Sequence, residues 1–293
     1  MTKDTQPEIR IIESPHELRL VEDLSRLVWP GSDIDVIPVH LMRAVIDHGG
    51  LVIGAFLEDQ LVGFVFGFPG FENTPQGLQL VHASHQAGIH PDYRDRGLGF
   101  RLKRAQWQMV RQQGIDRIQW TYDPLQSRNA RLNIAKLGAV CNTYIREFYG
   151  EMRDGLNAGL PSDRFRVDLW VNSSRVQRKM SAPPPQKLDL AHYLSAETPF
   201  VNRTQLNQAG LVEPLETNDL PLDDLPPLVL LEIPSDFQAI KATDASLALR
   251  WRLHSRVLFE DLFQRGYLVT DFLYLPGAQP RSFYVLTYGE STF

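Results

Sequence analysis

Apolar residues in the first half of the chain alternate between the spacing of strands and that of helices. Ser14-Pro15-His16-Glu17 has the sequence of a capping box with proline at the first helical position, and apolar residues then recur at helical spacing. Two apolar runs at residues 51–57 and 61–68, separated by three polar residues, predict a β-hairpin. Continued to residue 171, the pattern predicts the order β, α, α, β, β, β, α, β, α, β, β. This order indicates an α/β (mixed α+β) fold with a central mixed sheet and flanking helices.

A proline cluster separates this part from the rest of the chain. Pro183-Pro184-Pro185 cannot continue a helix or a sheet and favours an extended spacer. We therefore expect a first domain at residues 1–177, a linker at 178–190 and a smaller C-terminal α/β extension at 191–293. The extension's predicted strand, long helix and two final strands repeat the order of the last elements before the linker. This repetition indicates a degenerate half-repeat or strands added to the same sheet.

Charge and composition exclude several classes of protein. Lys and Arg total 30 against 35 Asp and Glu, so a net charge of -5 provides no global field for nucleic acid. The single cysteine, Cys141, cannot form an internal disulfide or a cysteine-rich metal cage, which fits a reducing compartment. The chain shows no signal-peptide core, and no apolar run approaches the ~20 residues of a membrane helix. We therefore expect a cytoplasmic protein that does not bind a membrane.

The clearest chemical motif is Arg94-Asp95-Arg96-Gly97-Leu98-Gly99, which lies between an apolar strand and an amphipathic helix. At such a junction the first amides of the helix are free, its dipole favours anions, and glycines let a phosphate approach the backbone. Seven basic residues against two acidic ones accompany the motif: Arg94, Arg96, Arg101, Lys103, Arg104, Arg111 and Arg117. A dinucleotide site would require a third glycine at Leu102, and a P-loop would require Gly-Lys-Ser/Thr. The motif therefore predicts a different phosphate site.

The element order, together with residues 87–99, resembles the GNAT superfamily of acyl-CoA-dependent N-acyltransferases over roughly residues 8–172. Ser84-His85 and residues 120–125 are similar to a bacterial subgroup with a C-terminal extension. The resemblance implies a fourth strand that splays from the fifth and pairs with the pantetheine arm, while the glycine-rich turn holds the pyrophosphate. The co-substrate would be acetyl-CoA or another acyl-CoA. The residues that the resemblance assigns to its binding are Ile89, Arg94, Asp95, Arg96, Gly97, Leu98, Gly99 and Phe100, with Asn129 near the pantetheine and sulfur.

One position departs from the family. Where many members have a tyrosine that protonates the departing thiolate, this chain has Ile134, so no general acid is assigned. Asn133, Tyr144 or Tyr149 could serve instead, or the thiolate could leave unaided, since a thiol has a pKa of about 8.5.

The base that accepts a proton from the amine is predicted to be His85, with Asp123 as a second candidate. Histidine titrates near neutral pH, and His85 lies on the strand just before the cofactor segment. A histidine that is simply hydrogen-bonded within the sheet is the alternative. His82 and His85 are three residues apart, so a regular strand would point them to opposite faces, and we expect no metal site there.

The leading hypothesis is an enzyme that transfers an acetyl or other short acyl group, such as succinyl, to a small amine such as an amino acid. The transfer would be direct, in a ternary complex. A catalytically silent acyl-CoA-binding module and a protein-lysine acyltransferase are the alternatives. The extension has no glycine-rich junction, so we expect it to bind no cofactor and to help wall the acceptor pocket or form a homodimer contact.

Overall fold

The structure is a computed structural model that describes residues 6–31, 36–151, 159–181, 189–215 and 225–289. The chain divides into two compact units. Of the described residues, the first unit contains 6–31, 36–120 and 169–172, and the second contains 121–151, 159–168, 173–181, 189–215 and 225–289. Pro183-Pro184-Pro185 lies outside the described residues, so the linker at 178–190 and the domain limits drawn from it stay predictions.

The first unit is a sheet covered by helices on both faces. Its strands are β1 (Glu8–Ile11), β2 (Leu51–Leu57), β3 (Gln60–Thr74), β4 (Gly77–Ile89) and the start of β5 (Arg117–Tyr122), in that spatial order. The first four pair antiparallel, and β4 pairs with β5 in parallel. The helices are α1 (Pro15–Val28), α2 (Val39–Ile46) and α3 (Leu98–Gln112).

Strand alternation sorts the core of this unit into two layers. On β2, Val52 and Phe56 pack in the cluster that includes Leu18 of α1 and Met42 of α2. The neighbouring Ile53 packs instead in a second cluster, which includes residues of α3. Successive side chains of a strand point to opposite faces, so a doubly buried strand must be apolar throughout, as β2 is.

The start of α1 follows the predicted capping geometry. Ser14 has extended backbone, and its Oγ accepts from the Glu17 amide at 3.2 Å. The same hydroxyl donates to the Glu17 carboxylate at 3.1 Å. Pro15 occupies the first turn, where its missing N–H costs nothing.

The second unit contains the remaining elements. Its helices are α4 (Ser127–Ala130), which continues as a π-helical segment (Arg131–Lys136), α5 (Ser174–Met180), α6 (Leu190–Ser195), α7 (Phe237–Thr243) and α8 (Ala245–Gln264). Its strands are β6 (Val140–Ile145), β7 (Arg164–Trp170), β8 (Thr204–Leu206), β9 (Val212–Pro214), β10 (Leu228–Ile233), β11 (Tyr267–Leu275) and β12 (Arg281–Tyr288). Antiparallel pairing gives the order β7-β6-β11-β12-β10, and β8 and β9 form a separate ribbon. The last two residues of β7 belong to the first unit.

An aromatic cluster forms the centre of the second unit. The Phe165 ring of β7 lies 4.6 Å from that of Phe259 in α8 and 5.5 Å from that of Tyr284 in β12. All three side chains are fully buried. The cluster therefore joins β7 to elements that follow residue 190 in the chain.

The predicted mixed α/β class is confirmed, with three differences in detail. The last helix of the predicted order becomes π-helical at Arg131, and the long helix predicted in the extension is preceded by a separate helix, α7. Asp244 divides α7 from α8 because its carboxylate accepts from the Leu247 amide at 2.9 Å. The sequence pattern missed α5, α6, β8 and β9, which are all short. No helix in the described ranges is long and apolar enough to cross a membrane.

Candidate active site

The glycine-rich turn places free backbone amides at the start of α3. A short 3₁₀ turn (Pro91–Tyr93) follows β4, and Gly97 then caps α3 with a φ of 77°, in the left-handed region that favours glycine. The first helical bond at this end runs from the Arg101 amide to the Gly97 carbonyl at 3.2 Å. The amides of Leu98, Gly99 and Phe100 therefore have no acceptor within the helix, and the helix dipole adds positive potential there. This arrangement can hold a phosphate or pyrophosphate.

The predicted cofactor residues of this unit form one continuous segment from β4 to α3. Arg94 donates through Nε to the Ile89 carbonyl at 3.3 Å, which ties the turn to the end of β4. Asp95 adopts a φ of 63°, and Arg96 is exposed with its guanidinium 5.2 Å from the Tyr93 ring. Leu98 is buried in the α3 layer of the core, so it anchors the helix. Asn129, by contrast, lies exposed on α4 in the second unit.

The ladder between β4 and β5 is short. It pairs His82 with Ile118 and Ala83 with Gln119, whereas β4 continues to pair with β3 as far as Ile89. Beyond Ala83, one edge of β4 therefore has no β5 partner among the described residues. Unpaired backbone groups on a strand edge can bind an extended ligand.

A β-bulge lies where this open edge begins. Phe66 of β3 faces Gln86 of β4, but the next residue, Gly67, faces Ser84. His85 is thus the extra residue of the bulge.

The two histidines of β4 lie on opposite faces of the sheet, in different surroundings. The ring of His85 reaches the surface and lies 6.1 Å from the Phe66 ring and 6.2 Å from the Phe68 ring. Partial burial against these rings lowers the pKa of His85, so the imidazole is neutral at pH 7 and can accept a proton. His82 is fully buried and meets Gln106 of α3. Within the described ranges, no group of three His, Cys, Asp or Glu side chains could hold a metal ion.

Asp123, the second predicted base, is engaged in a buried ion pair in the second unit. Its two oxygens accept from the guanidinium of Arg252 at 2.8 and 2.6 Å, and one also accepts from the Leu125 amide at 2.9 Å. Both carboxylate oxygens of Asp123 are therefore occupied by donors of the second unit, whereas His85 has no such partner among the described residues.

The candidate general acids all lie in the second unit. Ile134 is fully buried in the π-helical segment, and Asn133 is also buried. The Tyr144 hydroxyl donates to Asp163 at 2.7 Å, and burial raises the pKa of this phenol. The Tyr149 hydroxyl lies 2.9 Å from Thr121 Oγ1.

A buried polar cluster on α3 was missed by the sequence analysis, which counted Lys103 among the basic residues around the anion site. Lys103 is only 7% exposed and therefore does not belong to that surface. Its Nζ donates to Ser84 Oγ at 2.6 Å and lies 4.0 Å from the Trp120 ring centroid. Burial lowers the pKa of Lys103 to about 7. The sequence signal was a pair of polar residues, Lys103 and Gln106, on the helix face that packs on the sheet.

One family model matches part of the chain. Residues 18–138, fewer than half of the 293, match the model described as "Acetyltransferase (GNAT) family". No curated protein matches the chain.

Several solved structures are similar to just over half of the chain. The ribosomal-protein-S18-alanine N-acetyltransferase from Escherichia coli is 14% identical, with a TM-score of 0.42, over 57% of this chain and 96% of its own. Ard1 from Thermoplasma volcanium is 14% identical, with a TM-score of 0.44, over 58% and 100%. An aminoglycoside 6'-N-acetyltransferase complexed with coenzyme A is 16% identical, with a TM-score of 0.41, over 57% and 98%. These TM-scores are too low to support an argument about function.

Proposed function

We propose that the chain is an acyl-CoA-dependent N-acyltransferase for a small-molecule amine, because residues 18–138 match the family model described as "Acetyltransferase (GNAT) family". The acyl group is acetyl or another short group such as succinyl, and the acceptor is a compound such as an amino acid. One observation carries the proposal: three free amides at the start of α3 adjoin a strand edge that has lost its β5 partner. A polar ligand with a diphosphate at one end and an extended amide-containing arm fits both features.

Different groups of the chain bind the acyl-CoA and take part in the reaction. The amides of Leu98, Gly99 and Phe100 bind the pyrophosphate, and Arg94 and Arg96 supply positive charge beside it. The open edge of β4 orients the pantetheine arm by backbone hydrogen bonds. This binding fixes the thioester carbonyl next to the acceptor amine, which lowers the entropic part of the barrier.

Acyl transfer then proceeds by direct attack. The acceptor nitrogen forms a bond with the thioester carbon, the C–S bond breaks, and coenzyme A leaves as a thiolate that takes a proton from water. His85 accepts the proton that the nitrogen loses, because its neutral imidazole lies at the bulge beside the cofactor edge. No side chain is assigned as the acid, since Ile134 cannot donate a proton.

The remaining parts of the proposal rest on the sequence. The single cysteine, Cys141, is consistent with work in the cytoplasm, and burial raises the pKa of its thiol so that it is a poor nucleophile. The extension at residues 191–293 is proposed to help wall the acceptor pocket or to form a homodimer contact.

The first test is thermal unfolding with and without coenzyme A, acetyl-CoA and succinyl-CoA. A ligand at 100 times its Kd should add about 2.7 kcal/mol to the stability of the folded state. For a protein of this size the midpoint should rise by about 2–4 °C for each kcal/mol. The acyl donor that gives the largest shift is then tested for thiol release with a panel of amines.

A pair of charge reversals on α3 shows whether the predicted site is responsible. Arg96 and Arg111 are both exposed and lie near opposite ends of the helix. Arg96→Glu should weaken coenzyme A binding by roughly tenfold, because a carboxylate beside the anion site opposes it by about 1.4 kcal/mol. Arg111→Glu makes the same change in net charge and should leave binding unchanged.

Four outcomes would contradict the proposal. No shift with any of the three compounds would refute the cofactor site. Equal losses in the two variants would mean that binding depends on net charge alone. A shift without thiol release from any amine would favour a silent acyl-CoA-binding module, and labelled protein products would favour a protein-lysine acyltransferase.

A further inference from the structure

Four polar side chains of β4 and α3 form a buried cluster, which we define as His82, Ser84, Lys103 and Gln106. Each is at most 7% exposed. The cluster lies within the first unit, on the α3 face of the sheet. Its two strand members flank Ala83, the last residue of β4 that pairs with β5.

The hydrogen bonds of the cluster have a defined direction. Gln106 Oε1 accepts from Ser84 Oγ at 2.8 Å and from Lys103 Nζ at 3.4 Å. Its Nε2 therefore faces His82 Nε2, at 3.2 Å, and donates to it. Lys103 Nζ also donates to Ser84 Oγ, so the lysine, the serine and the amide form a closed triangle.

The surroundings of Lys103 favour a cation but supply no counter-charge. Two oxygens and the face of Trp120 surround the amine, which is the arrangement of a cation–π site. No carboxylate of the described residues lies within ion-pair distance of this nitrogen. A buried amine without a carboxylate is costly, and an apolar side chain of similar length would pack there with less penalty. We therefore expect the lysine to add no stability over an apolar side chain, which is the pattern of a group kept for function.

The triangle connects the two parts of the proposed active site. Lys103 lies one turn beyond Gly99, whose amide is part of the anion site. Its partner Ser84 is the residue before the bulge residue His85. The bond between Lys103 and Ser84 thus fixes the bulge relative to the start of α3.

We propose that Lys103 is a positioning residue for acyl transfer, which holds the β4 bulge and His85 in place through Ser84. This inference rests on the proposed function. It assigns Lys103 no contact with the substrate. Its role is to fix the distance between the helix end that binds the pyrophosphate and the strand residue that accepts the proton.

The test compares Lys103→Met, Ser84→Ala and the double variant with the wild-type protein. Methionine keeps the length of the side chain and removes the donor. Both single variants should lower kcat by at least tenfold, while the Kd for acyl-CoA stays within threefold, because the anion site is intact. The double variant should lose no more than the worse single variant, since both changes break the same contact. Lys179→Met is the control, because Lys179 donates to a backbone carbonyl, that of Ala135, in the second unit.

Stability separates positioning from a merely structural role. Lys103→Met should unfold at the same temperature as the wild type or above it, despite its lower kcat. A lower midpoint combined with an unchanged kcat would show that the lysine only supports the fold and would overturn the inference. A kcat within twofold of wild type in Ser84→Ala would also overturn the inference. This result would be decisive even if Lys103→Met did not fold. If the wild-type protein consumes no thioester, the proposed function itself is refuted. If the wild type and all variants are equally active, only the role of Lys103 is refuted.

Discussion

At the scale of single residues, the two histidines of β4 differ in burial. His82 is fully buried with a pKa lowered to about 3, mainly by burial, so it stays neutral and out of reach. His85 also has a lowered pKa, but its ring reaches the surface beside Phe66 and Phe68. The sequence predicted His85 as the base from its position and could not distinguish the two environments.

The pH dependence of catalysis should reveal His85. A base must be neutral to accept a proton, and a pKa below the ordinary value of 6.5 keeps it neutral down to a lower pH. We expect kcat/KM to be level as pH falls from 7.5 to about 6.5 and to decline only below that. His85→Ala should lower kcat/KM by about 100-fold or more, within the range for loss of general base catalysis, and should remove this acid limb.

His16→Ala is a suitable control because His16 is exposed on α1. It should leave the rate and the pH profile unchanged. If His85→Ala kept full kcat/KM with the true acceptor, His85 would be a structural residue, and the proton acceptor would have to be sought elsewhere.

At the scale of elements, the sequence predicted the helices and strands whose apolar residues recur at a regular spacing. The boundaries of β2, α1 and α3 agree with the pattern to within a residue or two, because burial on one or two faces imposes period 3.6 or 2. The predicted strand ending at Phe68 continues to Thr74, since residues 69–74 pair with β4 although Pro69, Gly70 and the polar residues 72–74 interrupt the apolar signal. The π-helical turn had no local signal either. Lys103 illustrates the same limit, because only tertiary packing buries it.

The packing of β3 on α3 should depend on Gly67. A Cβ at this position would lie 2.5 Å from His82 Nε2 and 2.8 Å from Gln106 Nε2, so the polar cluster occupies the space that a side chain would need. We expect Gly67→Ala to destabilise the fold by about 1–3 kcal/mol, the usual cost of overpacking. The midpoint in a urea unfolding curve measures this change.

Gly70→Ala is the matched control on the same strand, because a Cβ there would meet no atom within 4 Å. Its stability should stay within about 0.5 kcal/mol of wild type, as for ordinary surface changes. Equal effects at the two positions would mean that the loss reflects the strand's intrinsic preference for glycine and not the space filled by His82 and Gln106.

At the scale of the whole molecule, the second unit joins segments that are distant in the chain. Asp123 pairs with Arg252, and Asp163 accepts from Arg256 at 2.8 and 3.0 Å, so each bond connects residues before and after the predicted linker. The family resemblance ended near residue 172 and gave no reason to expect these pairs. A predicted boundary at residue 177 would divide this unit.

Removal of residues 178–293 should therefore prevent stable folding of residues 121–168. Asp123 and Asp163 would lose their cations, and breaking one buried ion pair typically costs about 3–5 kcal/mol. Phe165 would also lose Phe259 and Tyr284, which cover it in the full chain. We expect the truncated protein to be aggregated, or to show no cooperative unfolding transition by near-UV circular dichroism.

The control distinguishes the loss of the contacts made by residues 178–293 from the loss of chain continuity. A protease site placed at residues 183–185 allows the full-length protein to be cut without removing either fragment. The cut protein should remain associated and keep its unfolding transition, because the ion pairs and the aromatic cluster do not depend on chain continuity there. A truncated chain that unfolded as cooperatively as the cut protein would instead show that residues 1–177 fold alone, and that the pairs of Asp123 and Asp163 contribute little to the fold.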